Sequence, residues 1–597
     1  MSRTPEARPV IIANCSGFFG DRGSALAEVV RGGPIDIVTG DYLAEVTMLV
    51  LAKTRMKDPS AGYAASFLAQ LKPVLGEVAE KGIKVVVNAG GLNPAAMAKA
   101  VRNLCDVVGV SLRVAHIEGD DIMPRLDSLQ AAGKALPHLD TGAPLGSWSG
   151  KPLTANAYLG GWGVARALAA GADIVICPRV TDASVVVGAA AWWHGWKMDD
   201  WDALAGAVAA AHVIECGTQA TGGNYADFAE IDDLDRPGFP IAEIAADGSS
   251  IITKHPGTGG AVTVGTVTAQ LLYEIQGLDY LNPDVSTRLD SIRLAEAGPD
   301  RVTLSGVRGD PPPPTTKVAI TAIGGYQNSA AFVLTGLDRE GKAALVEKAI
   351  RRRLESRPGI DELRFQMIGA SASNPRDQLA ATSLLQVAAR GEEAAVGRAF
   401  FDTIVELALA SYPGLFTIKG DSRTAKSFGI YWPALVPQRL LDHVVIHDDG
   451  RREPIDHPPV FGEVTHRSSA AVDPVAPWDD LVSAPLGHAF DARSGDKGGN
   501  GNVGLWARDA TGYRWLAETL TAERLKSLLP EAADLEVRRY LLPNLFAVNF
   551  VIIGLLDGGA TETLRFDPQA KALGEYVRAK VMDIPAALLR RKTARSA

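Results

Sequence analysis

The sequence predicts an α/β protein: a large N-terminal parallel-sheet α/β region followed by a small C-terminal α+β domain of ferredoxin-like type. Three observations carry this. Short, almost wholly apolar strands alternate with amphipathic helices through the first two hundred residues, the pattern of a sheet covered on both faces by crossover helices. Periodicity then vanishes in a stretch rich in proline, serine and alanine. Beyond it, strands and helices follow one another as in an antiparallel sheet backed by two helices. A chain of 597 residues exceeds what one core fills. The expected organisation is therefore an α/β domain at 1–456, a linker at 457–482 and a ferredoxin-like domain at 483–597.

The strand–helix units can be read in order. "PVIIANCSG" leads into "DRGSALAEVVRGG", "IDIVTGD" into "YLAEVTMLVLAKTRMK", and "IKVVVNAGG" into "LNPAAMAKAVRNLC". "LRVAHIEGDD" then precedes a further helix, and "ADIVICPRVTD" precedes "ASVVVGAAAWW". Open sheet and barrel both suit this alternation. Either way the polar residues fall at the carboxyl ends of the strands, where parallel sheets place their ligands. These are Asn14, Asp41, Asn88, Glu118 with Asp120 and Asp121, and Arg179 with Asp182.

From about residue 203 the pattern becomes richer in loops. "AHVIECGTQATGGNY" and "KHPGTGGAVTVGTVTAQLLYEI" each hold a Thr-Gly-Gly core, at Thr221–Gly223 and Thr258–Gly260, and a helix is expected from about Val264 after the second. Glycine turns at helix starts expose amides that attract anions, although neither loop has the lysine of a Walker motif. "GDPPPPTTKVAI" reads as a stiff connector entering a strand. Residues 315–445 form a further α+β section whose basic helix "DREGKAALVEKAIRRRLES" is expected to be solvated. In the last hundred residues "PLGHAFDARSGDK", "NVGLWARD" and "LEVRRYLLPNLFAVNFVIIGLL" supply strands, and "TAERLKSLLP" and "KALGEYVRAKVM" supply helices.

Bulk properties exclude some classes. A net charge of −9 provides no basic field for nucleic acid. Only the tail Arg590-Arg591-Lys592 with Arg595 is basic, and it reads as a solvated terminus. Four widely spaced cysteines, Cys15, Cys105, Cys177 and Cys216, lack the pairing of a zinc ribbon or a disulfide framework and suit a reducing compartment. No signal peptide and no membrane-spanning segment is read. A cytoplasmic location is expected, without nucleic-acid or membrane partners.

Six motifs, "GDYLAEVTM", "NAGGLNP", "PRVTDASVVVG", "ECGTQATGGNY", "KHPGTGGAVTVGTVTAQLLYE" and "ARSGDKGGNGNVG", occur in this order along nearly the whole chain. Together they resemble the bacterial acyclic terpene utilisation protein family, and "LPNLFAVNFVIIGLLDGGATETLRFD" is similar to that family's C-terminal ferredoxin-fold module. The resemblance implies catabolism of branched acyclic acids carried as coenzyme A thioesters. A hydratase or lyase step is the implied chemistry. Small-molecule acyl-CoA is then the partner and substrate, no cofactor is tightly bound, and a homo-oligomer is expected.

Such chemistry needs an acid, a base, a group to polarise the thioester carbonyl and anchors for phosphates. The catalytic candidates are Asp41 and Glu45, which on a helix would share one face, and Asp182. For substrate binding the candidates at the strand ends are Asn14, Asn88 and Arg179. In the two glycine loops they are Thr221, Gly222, Gly223, Asn224, His255, Thr258, Gly259 and Gly260. In "RSGDKGGNGN" they are Arg493, Asp496, Lys497 and Asn502, because a tight turn accounts for the glycines but not for the charges beside them. His212, Glu215 and Cys216 lack metal-ligand spacing, and His212 and Cys216 read as a buried helical histidine and a packed cysteine. A non-catalytic scaffold for a partner acyl-CoA enzyme is the alternative function.

Overall fold

The structure, a computed structural model, describes residues 8–131, 135–370, 372–418, 423–464, 467 and 478–590, the side chains of residues 45 and 46 excepted. Most of the expected linker, at 465–466 and 468–477, lies outside the described residues. Contacts divide the chain into two compact units, one of Met1–Thr321, Tyr431–Leu555 and Gln569–Ala597, the other of Ala322–Ile430 and Leu556–Pro568.

The first unit is built on an eleven-stranded sheet. At its centre lie five mutually parallel strands, Val10–Asn14, Ile37–Gly40, Lys84–Val87, Ile174–Ile176 and Val114–Glu118, in that spatial order. Antiparallel strands extend both edges, Pro240–Ile244 pairing with Val10–Asn14 and Val444–Ile446 with Val114–Glu118. The sheet is therefore open. The central strands are buried almost throughout, which is why they read as unbroken apolar runs.

Two helices, Ser184–His194 and Trp201–Ile214, are apolar on nearly every face and buried on nearly every residue. The first meets the start of helix Trp162–Ala169 at Gly161 and Gly188, where a Cβ on either glycine would collide with the other's backbone. The second ends close to the carboxyl edge of the sheet. Helix Pro94–Val108 begins as its sequence dictates, with Asn93 accepting from the Ala96 amide and Pro94 at the first turn.

Residues 483–555 also belong to the first unit. They contain a four-stranded antiparallel sheet in the order Asp491–Lys497, Asn500–Trp506, Ala547–Ile552, Val537–Leu542. Helices Ala510–Thr519, Ala522–Leu528 and Leu573–Arg578 accompany it. Arg590, expected in a solvated tail, is instead held by Asp227 at 2.5 Å and Asp491 at 2.7 Å. The rest of that tail, 591–597, lies outside the described residues.

The second unit is α+β. Strands Ile360–Ile368 and Thr382–Gly391 pair antiparallel, and Phe332, Val346, Ile350, Leu385, Val387 and Phe400 form its core. Its basic helix, Arg339–Leu354, directs Arg351 to Glu347 and Glu355 and Arg353 to Glu406. Among the described residues no helix is long and apolar enough to cross a membrane.

Candidate active site

The carboxyl ends of the parallel strands bring buried polar side chains together. Asn88 donates from Nδ2 to the Asp41 carboxylate at 2.5 Å and accepts the Tyr42 amide at 2.7 Å. Asp41 also receives the Leu43 amide at 3.1 Å. Arg179 reaches the same loop, donating to the Leu43 carbonyl at 2.8 Å. Its guanidinium lies 4.1 Å from the centre of the Tyr158 ring, and its Nη2 is 3.2 Å from Asp182. Asp120 accepts Asn156 at 2.7 Å and the Arg179 amide at 3.2 Å, so the Arg179 loop is fixed from behind.

Asn14 has a different task from the one expected. Its Nδ2 donates to the Ile214 and Glu215 carbonyls at 2.8 and 3.0 Å, closing the end of helix Trp201–Ile214. That helix end presents Glu215, buried, with His212 Nδ1 3.0 Å from its Oε1.

The hairpin Asp491–Trp506 completes the cluster. Gly498 and Gly499 make its two-residue turn, with φ +61° at Gly498, a conformation suited to glycine at the first central position. Strand alternation puts Arg493, Gly495 and Lys497 on one face, with Gly504, Asn502 and Asn500 opposite them. That face lies against residues 272–275. A side chain on Gly495 would overlap the Tyr273 ring, and one on Gly504 would crowd Leu272. Asn502 accepts the Glu274 amide at 2.9 Å and so holds Glu274 at φ +60°, a backbone state seldom adopted by a residue with a side chain. Lys497 Nζ is then 3.4 Å from Glu274. Arg493 donates to Gln219 and stacks 4.3 Å from the Tyr273 ring centre. Asp496 is 3.7 Å from Lys571, which also bonds the Tyr273 hydroxyl. Beside Lys497, Glu274 and Tyr280 is a cavity of about 270 Å³.

Electrostatics set the protonation of this cluster. Burial pushes the Asp41 carboxyl up and Asp182 adds to the push, while Arg179 and Asn88 oppose it in part. Burial raises Glu215 to about 7 against the pull of His212, with Asp182 helping. The negative end of its helix acts in the same direction. Burial alone would strip Lys497 of its proton, but Glu274 and Tyr280 outweigh it and keep the ammonium charged. Carboxyls pushed towards their protonated form are thus coupled electrostatically to a half-buried cation, group types that acid–base catalysis uses.

Other expected residues lie elsewhere. The two Thr-Gly-Gly loops were expected to present amides to an anion, but those amides serve packing. Gly222 and Gly223 donate to the Gln219 and Thr218 carbonyls, Gly260 to Asp232, and Ala261 to Thr221, while Gly259 accepts from Gly238. Thr221 and Thr258 donate to backbone carbonyls, and Asn224 is exposed at φ +65°. His255 is buried against the Val29 carbonyl at 2.9 Å, and Lys254 is satisfied by Thr258 and Asp300, so neither reaches outward to a phosphate. Asp41 and Glu45 do not share a helix face, because the helix begins at Glu45 with Ala44 as its cap. The Glu45 side chain lies outside the described residues.

Glu215, Glu274, Tyr280, Tyr273 and Gln219 are members that sequence reasoning missed. Glu274 and Tyr273 looked like the end of an amphipathic helix, and only the close approach of the glycine-bearing hairpin marks them. Among the described residues no group of three or more His, Cys, Asp or Glu is placed to hold a metal, His212, Glu215 and Cys216 included.

The model of the acyclic terpene utilisation family protein AtuA matches residues 10–447. The chain belongs to this family. The AtuA ferredoxin-like domain matches residues 484–583, the stretch that carries the hairpin. No curated protein and no solved structure matches the chain.

Proposed function

We propose that this family member is a lyase of branched or acyclic terpenoid acid catabolism that adds water to, or removes it from, an acyl-CoA thioester. The observation that carries the reading is the pair of buried carboxyl groups, Asp41 and Glu215, with the half-buried Asp182 ion-paired to Arg179 and the charged Lys497 acting on Glu215. Burying ionisable groups costs stability, and a chemical role is a reason for a chain to retain them. Hydration of an enoyl thioester needs a base for water, a cation for the developing enolate and an acid for the α-carbon, and this cluster has all three types. The cavity beside Lys497 is about 270 Å³. That suits a short branched acyl group, with the nucleotide end of the coenzyme outside.

The test is turnover. The purified chain should hydrate a branched enoyl-CoA or dehydrate the matching 3-hydroxyacyl-CoA, read as a mass change of one water. Lys497→Ala should reduce kcat by about a hundredfold or more, the usual effect of removing a group that stabilises developing negative charge. No mass change with any branched thioester, together with no binding of acetyl-CoA by calorimetry, would overturn the reading.

A further inference from the structure

Glu215 is set up in a way that a packing role does not require. It follows helix Trp201–Ile214, its carbonyl is tied by Asn14, and its Oε1 is fixed by His212 one turn back. Its Oε2, also buried, has no hydrogen-bond partner among the described residues. An orphaned buried oxygen costs free energy and is a place where a ligand atom or a proton in transit would be received. The charges that act on the carboxyl come from separate elements: Asp182 from the loop after Ile174–Ile176, Lys497 from the C-terminal hairpin, Asp41 from the loop after Ile37–Gly40, and Tyr280. Tyr280 also packs its ring 4.9 Å from His212 and lines the cavity beside Lys497.

We propose that Glu215 is the catalytic acid of this site, delivering a proton through its free Oε2, and that His212 is its positioning residue. The assignment rests on the acid–base reading above. In the hydration direction Asp182 takes a proton from water as the water oxygen bonds to the β-carbon. The C=C electron pair moves onto the thioester carbonyl, whose oxygen is stabilised by the Lys497 ammonium. The enolate then collapses, the Glu215 proton passes to the α-carbon, and the proton on Asp182 returns through solvent to Glu215. One water is consumed and both carboxyl groups end as they began.

Two measurements on the full chain separate this assignment from the substrate reading. The first uses isovaleryl-CoA, a saturated branched thioester, in deuterated water and follows deuterium entering at the α-carbon by mass spectrometry. The wild type should exchange, Glu215→Gln should slow exchange about a hundredfold or more, and His212→Asn should shift the pH of half-maximal exchange while retaining much of its maximum. Equal exchange by wild type and Glu215→Gln would overturn the role of Glu215 and leave the acyl-CoA reading standing. The second needs no ligand: an infrared pH titration of protonated carboxyl bands, wild type minus Glu215→Gln, with Glu215→Asp as the alternative should the glutamine variant fail to fold. A band lost as pH rises through neutrality supports the proton on Glu215 even if no thioester exchanges, in which case the substrate reading falls alone. A Glu215 band that does not change between about pH 5 and 9 would overturn the assignment.

Discussion

Asp120 shows at single-residue scale how the strand ends carry stored charge. It is buried, accepts Asn156 and the Arg179 amide, and burial raises it to about 7 against those bonds. Because its folded pKa lies above the unfolded value near 3.8, its contribution to stability is fully present at low pH and is lost as pH rises towards 7. Three pKa units correspond to on the order of 4 kcal/mol. Asp120→Asn keeps the accepting oxygen and abolishes the titration, so the variant should gain on the wild type as pH rises from about 4 to about 8. Urea unfolding of both proteins at several pH values checks this, and a stability difference that stays flat across the range would refute it. The sequence placed Asp120, Asp41, Asn88 and Arg179 correctly at the carboxyl edge, because the period of the strand–helix units determines where each strand ends. It could not say that Asn14 closes a helix end some two hundred residues away, since that contact depends on tertiary packing alone.

At the scale of elements, the glycine-rich hairpin and the segment after helix Val264–Leu271 form a matched pair. "RSGDKGGNGN" raised the choice between a tight turn and a binding loop, and the structure shows the turn and a packing face: Gly498 and Gly499 turn the chain, while Gly495 and Gly504 let residues 272–275 lie against the strands. Lys497, a binding candidate in the sequence, is an ion-pair partner in the structure. Its side chain is 26% exposed and faces Glu274, 27% exposed, so removing either takes a near opposite charge away from the other. Lys497→Met alone should therefore destabilise by about 1 to 3 kcal/mol, and adding Glu274→Gln should restore part of that loss, with a coupling of about 1 kcal/mol. A double-mutant cycle by denaturant titration measures it directly. Additive losses would mean that the pair contributes no mutual stabilisation. Strand alternation made the shared face of Arg493 and Lys497 legible in the sequence, but the segment it packs on was not, because nothing in "LLYEI" marks a partner far along the chain.

For the first compact unit as a whole, the composition break at 457–482 says where the chain loses periodicity and nothing about what its flanks touch. Residues beyond it return to the N-terminal region repeatedly. Arg493 bonds Gln219, Lys497 faces Glu274, and Asn544 donates to the Leu289 and Ile292 carbonyls at 2.9 and 3.0 Å. Arg508, Arg578 and Arg590 converge on Asp227, which burial alone would neutralise but these three guanidinium groups hold ionised. A covalent cut within 457–482 leaves every one of these contacts in place. Limited proteolysis should therefore cleave first in that stretch, and the two fragments should elute together on gel filtration with the proposed turnover retained, because the proposed site draws Lys497 from one fragment and Asp41, Asp182 and Glu215 from the other. The chain ended at residue 456 and expressed alone should lack turnover and expose the Tyr273–Tyr280 surface, read as binding of a hydrophobic dye. Fragments that separate under native conditions, or a truncated chain with full activity, would show that the C-terminal module is an accessory and that the site is complete without its hairpin.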